Sequence, residues 1–131
     1  MGEVTVSEKV GILLATYNGE QYIREQLDSI LNQTYVDWVC YIHDDGSTDN
    51  TWQTIKKYEA DYPDKFVVLN YEKCGAVCKN FISLMKYSSE NYIMFSDQDD
   101  VWAKNKIEVT LNRMKSIEAD SDKPYAVFTD L

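Results

Sequence analysis

The sequence has no apolar stretch near the length of about 20 residues that a membrane-crossing helix needs. Residues 1–9 are polar and carry two glutamates, which excludes a secretory leader. Histidine occurs once, at His43, and cysteine three times, at Cys40, Cys74 and Cys78. A zinc site needs more such ligands than this. Cys40 sits in an apolar run and reads as a small core residue. Cys74 and Cys78 are four apart and could share a helix face, yet they read as free thiols, and an odd total fits a reducing compartment. Cations are also scarce, with 13 Lys and Arg against 22 Asp and Glu and a net charge of −9. Nucleic acid is therefore excluded as a partner, because its phosphates would be repelled. The chain contains no repeat, low-complexity tract or flexible linker. It reads as cytoplasmic, with peripheral attachment at the inner face of a membrane as the one membrane role left open.

What is present is a foldable composition. Of 131 residues, 44% are hydrophobic, and ten tyrosines and three tryptophans argue for a packed core in one domain or part of one. Residues 10–15 (V-G-I-L-L-A) form a continuous apolar run that suits a strand buried on both faces. Turn chemistry follows at Thr16-Tyr17-Asn18-Gly19. Residues 20–33 carry apolar side chains at helical spacing. Residues 38–43 (W-V-C-Y-I-H) read as a second strand, broken by Asp44-Asp45-Gly46-Ser47. Possible N-caps at residues 47–50 precede a helix over 51–60. A third strand is predicted at 66–70, a helix at 76–87, a fourth strand at 91–95 and a helix at 105–117. After a polar turn at 120–124, residues 125–129 look like a strand that has barely begun. The expectation is that the chain is a piece of a longer protein.

Strands alternating with helices predict an α/β fold with a mostly parallel sheet and helices on both faces. Such sheets bind ligands beyond the carboxyl ends of their strands. Three strand ends are polar here: Thr16-Tyr17-Asn18, Asp44-Asp45 and Asp97-Gln98-Asp99-Asp100. Parallel strands would gather them at one edge.

The last cluster places three acids directly after an apolar strand. Held close, these carboxylates repel one another. A hard divalent cation, Mn2+ or Mg2+, relieves the repulsion and prefers oxygen ligands, and a diphosphate with water can complete its shell. The plainer reading is an acidic turn with capping roles. An isolated Asp-x-Asp is a weak motif, but one ending a buried strand and followed by Val101-Trp102 is much stronger. At the second cluster, a carboxylate could accept the imide N–H of uracil or thymine. The competing reading is a tight turn, since Asp, Gly and Ser all favour turns. Both can hold, with Asp45 on a ligand and Ser47 or Asp49 capping. Thr16-Tyr17-Asn18-Gly19 could line a base, or form a simple strand-to-helix turn. His43 reads as a strand-end residue rather than a base. No lysine P-loop, G-x-G-x-x-G or G-x-S-x-G appears.

Taken together, the motifs A-T-Y-N-G-E (15–20), S-I-L-N-Q-T-Y (29–35), D-D-G-S-T-D-N-T (44–51), the segment 75–80 and Y-I-M-F-S-D-Q-D-D-V-W (92–102) resemble the inverting family 2 glycosyltransferases. They stand in family order and cover nearly the whole chain. The S-D-Q-D-D-V-W form is most similar to bacterial rhamnosyltransferase-type members that build surface polysaccharides. The resemblance implies a GT-A, Rossmann-like fold and a UDP- or dTDP-sugar donor. It puts Thr16, Tyr17 and Asn18 at the nucleoside, Asp45 at the pyrimidine imide and Asp44 close by. It puts Asp97 near the ribose or, through water, at the metal, and Asp99 on Mn2+ or Mg2+. Lys73 and Lys79 are the local basic residues able to approach a diphosphate. Family members run to roughly twice this length, so the resemblance makes residues 1–131 a truncated donor-binding part. The saccharide or lipid-linked saccharide acceptor site, and the catalytic base, are then expected beyond Leu131, with no catalytic residue identified here. The rivals are a nucleotidyltransferase, which usually carries a glycine-rich basic loop after the first strand, and a non-catalytic α/β assembly module.

Overall fold

The computed structural model describes residues 8–69 and 77–118. Cys74, Lys73, the Gly75 loop, the turn at 120–124 and the expected strand at 125–129 lie outside the described residues.

Eight elements alternate: β1 (Val10–Thr16), α1 (Ile23–Leu31), β2 (Trp38–Asp44), α2 (Thr51–Asp61), β3 (Phe66–Val68), α3 (Val77–Met85), β4 (Tyr92–Asp97) and α4 (Lys106–Glu118). The expected elements that fall within the described residues are there, with ends shifted by a few residues. β4 runs two residues further than the apolar pattern suggests, so Ser96 and Asp97 belong to the strand itself. The helix after β1 starts at Ile23 rather than residue 20, because the preceding loop is engaged elsewhere, as described below.

The four strands are parallel in the order β3-β2-β1-β4. β1 is fully buried, and its two faces feed two layers. Val10, Ile12 and Leu14 pack with Ile23, Leu27 and Ile30 of α1, Ile55 and Tyr58 of α2, and Ile107 and Leu111 of α4. Leu13 and Ala15 point the other way, against Leu84 and Phe81 of α3. Helices thus cover both faces. The split follows from handedness. α1 and α2 carry the chain from β1 to β2 to β3, whereas α3 carries it back past β1 to β4. Right-handed crossovers that advance in opposite directions must use opposite faces of the sheet. The direction reverses at β1, which leaves a crevice between the carboxyl ends of β1 and β4.

α1 carries two polar residues on its buried side, Gln26 and Ser29, and Gln33 is buried just after its end. Gln26 donates to Ser96 Oγ within β4 at 2.5 Å, and the other two hold the segment after β4. The Trp102 N–H donates to Ser29 Oγ at 3.0 Å. Gln33 Nε2 donates to the Ala103 carbonyl at 2.7 Å, and Gln33 Oε1 accepts the Ile107 N–H at 3.0 Å. Gln33 thereby satisfies a donor in the first turn of α4 from more than seventy residues away, which capping would otherwise do locally.

Candidate functional site

The strand register brings the polar clusters together. Thr16 is level with Asp44, and Ala15 with Asp97. The ends of β1, β2 and β4 therefore share one edge, as the alternation of elements implies.

The loop after β1 is fastened by side chains from its neighbours. Four successive N–H groups donate outward: Tyr17 to Gln98 Oε1, Asn18 to Ser47 Oγ and Gly19 to Thr51 Oγ1, each at 2.8 Å, and Glu20 to Asp49 Oδ2 at 3.2 Å. Asn18 sits in the left-handed region at φ 48°, which Asn tolerates, and its Oδ1 accepts the Thr48 N–H at 2.8 Å. Asn50 Nδ2 donates to Glu20 Oε1 at 2.8 Å. With its amides engaged, this loop is not a cradle for phosphate of the kind that free N–H groups make at a helix start. The Tyr17 ring is 43% exposed at the mouth of the crevice.

Asp44 and Asp45 do different things. The Asp44 carboxylate accepts from Thr16 Oγ1 at 2.8 Å and from the N–H and hydroxyl of Ser47, at 2.9 and 2.5 Å. It closes the turn in which Gly46 adopts φ 86°. Asp45 is 7% exposed, and its N–H donates to the Thr16 carbonyl at 2.9 Å. Capping of α2 falls to Asp49, which accepts the Thr51 N–H at 2.9 Å, whereas Ser47 is spent on Asp44 and Asn18. The hydroxyl of Thr51 is the main cause that holds the Asp49 carboxyl below the ordinary aspartate range. His43 is fully buried, with Nδ1 2.6 Å from Asn80 Oδ1. Asn80 Nδ2 in turn donates to the His43 carbonyl at 3.2 Å, which orients the amide and makes Nδ1 the donor. His43 ties β2 to α3.

The acidic run turns back on itself after β4. Burial raises the Asp97 carboxyl above its usual value, and the charges of Asp99 and Asp100 raise it further. Asp100 pairs loosely with Lys106 at 3.8 Å, and that ammonium lies 4.9 Å from the centre of the Trp102 ring. Asp99 is exposed and makes no hydrogen bond or ion pair among the described residues. No three His, Cys, Asp or Glu side chains converge as a metal-ligand set among the described residues. The donor chemistry nonetheless fits a hard cation. Crowded, partly desolvated carboxylates are what such an ion relieves, and a ligand's own oxygens can fill the remaining positions.

Residues 11–127 match the family described as Glycosyl transferase family 2. The chain belongs to that family. It is 46% identical over 99 residues to the dTDP-rhamnosyl transferase RfbG of Shigella flexneri, which covers 72% of this chain and 34% of that protein. The glucosyltransferase WfgD of Escherichia coli, named for transfer from UDP-Glc to GlcNAc-diphosphoundecaprenol, is 35% identical over 105 residues, or 80% of this chain and 40% of its own. Among solved structures, S. aureus TarS 1–349 in complex with UDP aligns with a TM-score of 0.69 at 26% identity, covering 82% of this chain and 32% of that one. The mannosyltransferase PcManGT of Pyrobaculum calidifontis, in complex with GDP-Man and Mn2+, aligns at 0.72 over 85% of this chain and 32% of its own, with 21% identity, and shows the fold alone. The fold of this family 2 member is thus of the GT-A type. The chain spans about a third to two fifths of the length of these relatives.

Several residues of this edge escape a strand-end reading. Ser47, Thr48 and Thr51 fasten the first loop, and Gln98 clamps it from the acidic run. The signal that could have found the anchors of the acidic run is the recurrence of Gln26, Ser29 and Gln33 at helical spacing, across α1 and just past its end, among apolar residues.

Proposed function

We propose that this chain is the donor-binding part of a metal-dependent, inverting glycosyltransferase. It would hold a UDP- or dTDP-sugar for transfer of a hexosyl or deoxyhexosyl group to a saccharide or lipid-linked saccharide in bacterial surface polysaccharide synthesis. The observation that carries the reading is the crevice between β1 and β4, where buried Asp45 and the Asp97/Asp99 pair share one edge.

In this reading the pyrimidine lies against Thr16, Tyr17 and Asn18, and Asp45 accepts its imide N–H. Asp44 acts indirectly, by holding Thr16 and closing the turn at Ser47. The first loop has no spare amides for a diphosphate, which favours its lying toward Asp97 and Asp99. Asp99, with Asp97 directly or through water, would hold Mn2+ or Mg2+. When bound, the ion supplies a Lewis acid that stabilises negative charge on the departing nucleoside diphosphate. Lys79, exposed on α3, is a basic residue that could add to that charge. We place the acceptor site and the base that takes the acceptor's proton outside residues 1–131. Site and activity relate here through family likeness, since one fold supports many chemistries. The relatives named for dTDP-rhamnose and UDP-glucose transfer, and the UDP complex of TarS, support a pyrimidine nucleotide. Among the described residues no helix is long and apolar enough to cross a membrane. Attachment at the inner face is part of the proposal through the lipid-linked acceptor alone.

Calorimetry with UDP and dTDP, in Mn2+ and in EDTA, tests the reading on this chain and on Asp99→Ala. Binding that needs the metal and falls at least tenfold in Asp99→Ala is the expected result. A folded chain that binds neither nucleotide at millimolar concentration would overturn it.

A further inference from the structure

Gln98 stands in the middle of the acidic run, yet its side chain reaches away from it. Its Oε1 accepts the Tyr17 N–H at 2.8 Å, and its Nε2 donates to the Tyr17 carbonyl at 2.8 Å. One amide thus pairs both polar groups of a residue 81 positions earlier, as a neighbouring strand would. The two bonds fix the amide's orientation, because a swap of O and N would face donor to donor and acceptor to acceptor. The contact also needs Gly19. A Cβ at that position would lie 2.3 Å from Gln98 Oε1 and 2.5 Å from its Cδ.

We propose that Gln98 is a positioning residue that sets the distance between the loop at Tyr17 and the carboxylates Asp97 and Asp99. The inference rests on the donor-binding reading. The loop keeps its own shape without Gln98, because Asn18, Gly19 and Glu20 remain tied to Ser47, Thr51 and Asp49. The acidic run is likewise held from behind by Ser29 and Gln33. Gln98 joins these two halves at the front of the crevice, beyond the last β1–β4 pair, Ala15 with Asp97. A ligand that touches one half gains nothing from that link. A ligand that spans both gains from their fixed separation, as any two-point binder does when its sites are preorganised.

The test compares wild type with Gln98→Met, which keeps length and loses both hydrogen bonds. Gly19→Ala is the second variant, which displaces the amide and leaves residue 98 intact. Three affinities are measured: uridine by NMR shift titration, Mn2+ by electron paramagnetic resonance, and UDP with Mn2+ by calorimetry. Both variants should bind UDP with Mn2+ about tenfold more weakly, the scale of two modest hydrogen bonds. Uridine alone and Mn2+ alone should stay within about twofold of wild type. Circular dichroism establishes that each variant is folded, and one folded variant suffices. UDP affinity unchanged in a folded variant overturns the proposal. So does a parallel loss of uridine affinity, which would make Gln98 a local support of the nucleoside loop. If wild type itself binds no UDP, the donor-binding reading fails and takes this inference with it. Wild-type binding with unaltered variants sinks only the inference.

Discussion

Asp97 occupies the last position of β4 in a place that disfavours its charge. Burial and the neighbouring acids both raise its carboxyl. A raised value in the folded chain means that the folded state keeps the proton to higher pH than the unfolded state does. Stability then falls as pH rises from below the ordinary aspartate value through the raised one. Asp97→Asn removes this effect. In EDTA the variant should melt above wild type at pH 7, and the gap should close as the pH drops below about 4. Mn2+ should narrow the gap at pH 7 by restoring a counter-charge to wild type. Differential scanning fluorimetry across pH reads all three trends. A gap that ignores pH would locate the effect in packing instead.

α1 illustrates how one helix serves two purposes. Ile23, Leu27 and Ile30 bury against the sheet, and burial of each such side chain contributes roughly 1.5–3 kcal/mol. Ser29 on its buried side and Gln33 just after its end anchor the backbone after the acidic run, so that the exposed acids project from a fixed base. Gln33→Ala should remove this partner of the Ala103 carbonyl and the Ile107 N–H. Urea unfolding should then show a loss of about 1–3 kcal/mol, because the Ile107 N–H is left buried without its partner while the exposed Ala103 carbonyl can turn to water. The same variant should leave the strands intact by circular dichroism, since the side-chain hydrogen bonds of Gln33 run to Ser29, Ala103 and Ile107, all outside the strands. A loss below about 0.5 kcal/mol would mean that water replaces the amide at this position.

For the chain as a body, the consequence of the donor-binding reading is linkage. A ligand that binds only the folded state, present at a hundred times its Kd, stabilises by about 2.7 kcal/mol. UDP or dTDP with Mn2+ should raise the melting temperature, and the rise should shrink in EDTA. CDP at the same concentration is the control, because cytosine has no imide N–H for Asp45 to accept. Equal stabilisation by CDP would remove Asp45 from base reading while leaving a diphosphate site possible.

The order of elements, the parallel sheet and the gathering of Thr16, Asp44, Asp45, Asp97 and Asp99 at one edge were legible in the linear chain. Apolar runs, helical spacing and turn residues are local signals, and the right-handed crossover rule converts their order into a topology. Identical residue types at that edge nevertheless have different duties. Asp44 fastens a turn while Asp45 is buried beside it, and Gln98 holds Tyr17 instead of facing the acids' side of the crevice. β4 reads as apolar as β1, yet Phe95 is 52% exposed, because among the described residues β4 pairs only with β1. Periodicity reports what a residue's own element does, whereas Asp44 also holds Thr16, 28 positions away, and Gln98 holds Tyr17, 81 positions away. Only the packed chain brings such partners within hydrogen-bonding distance, and so only the tertiary structure separates the side chains that fasten the edge from those left to meet a ligand.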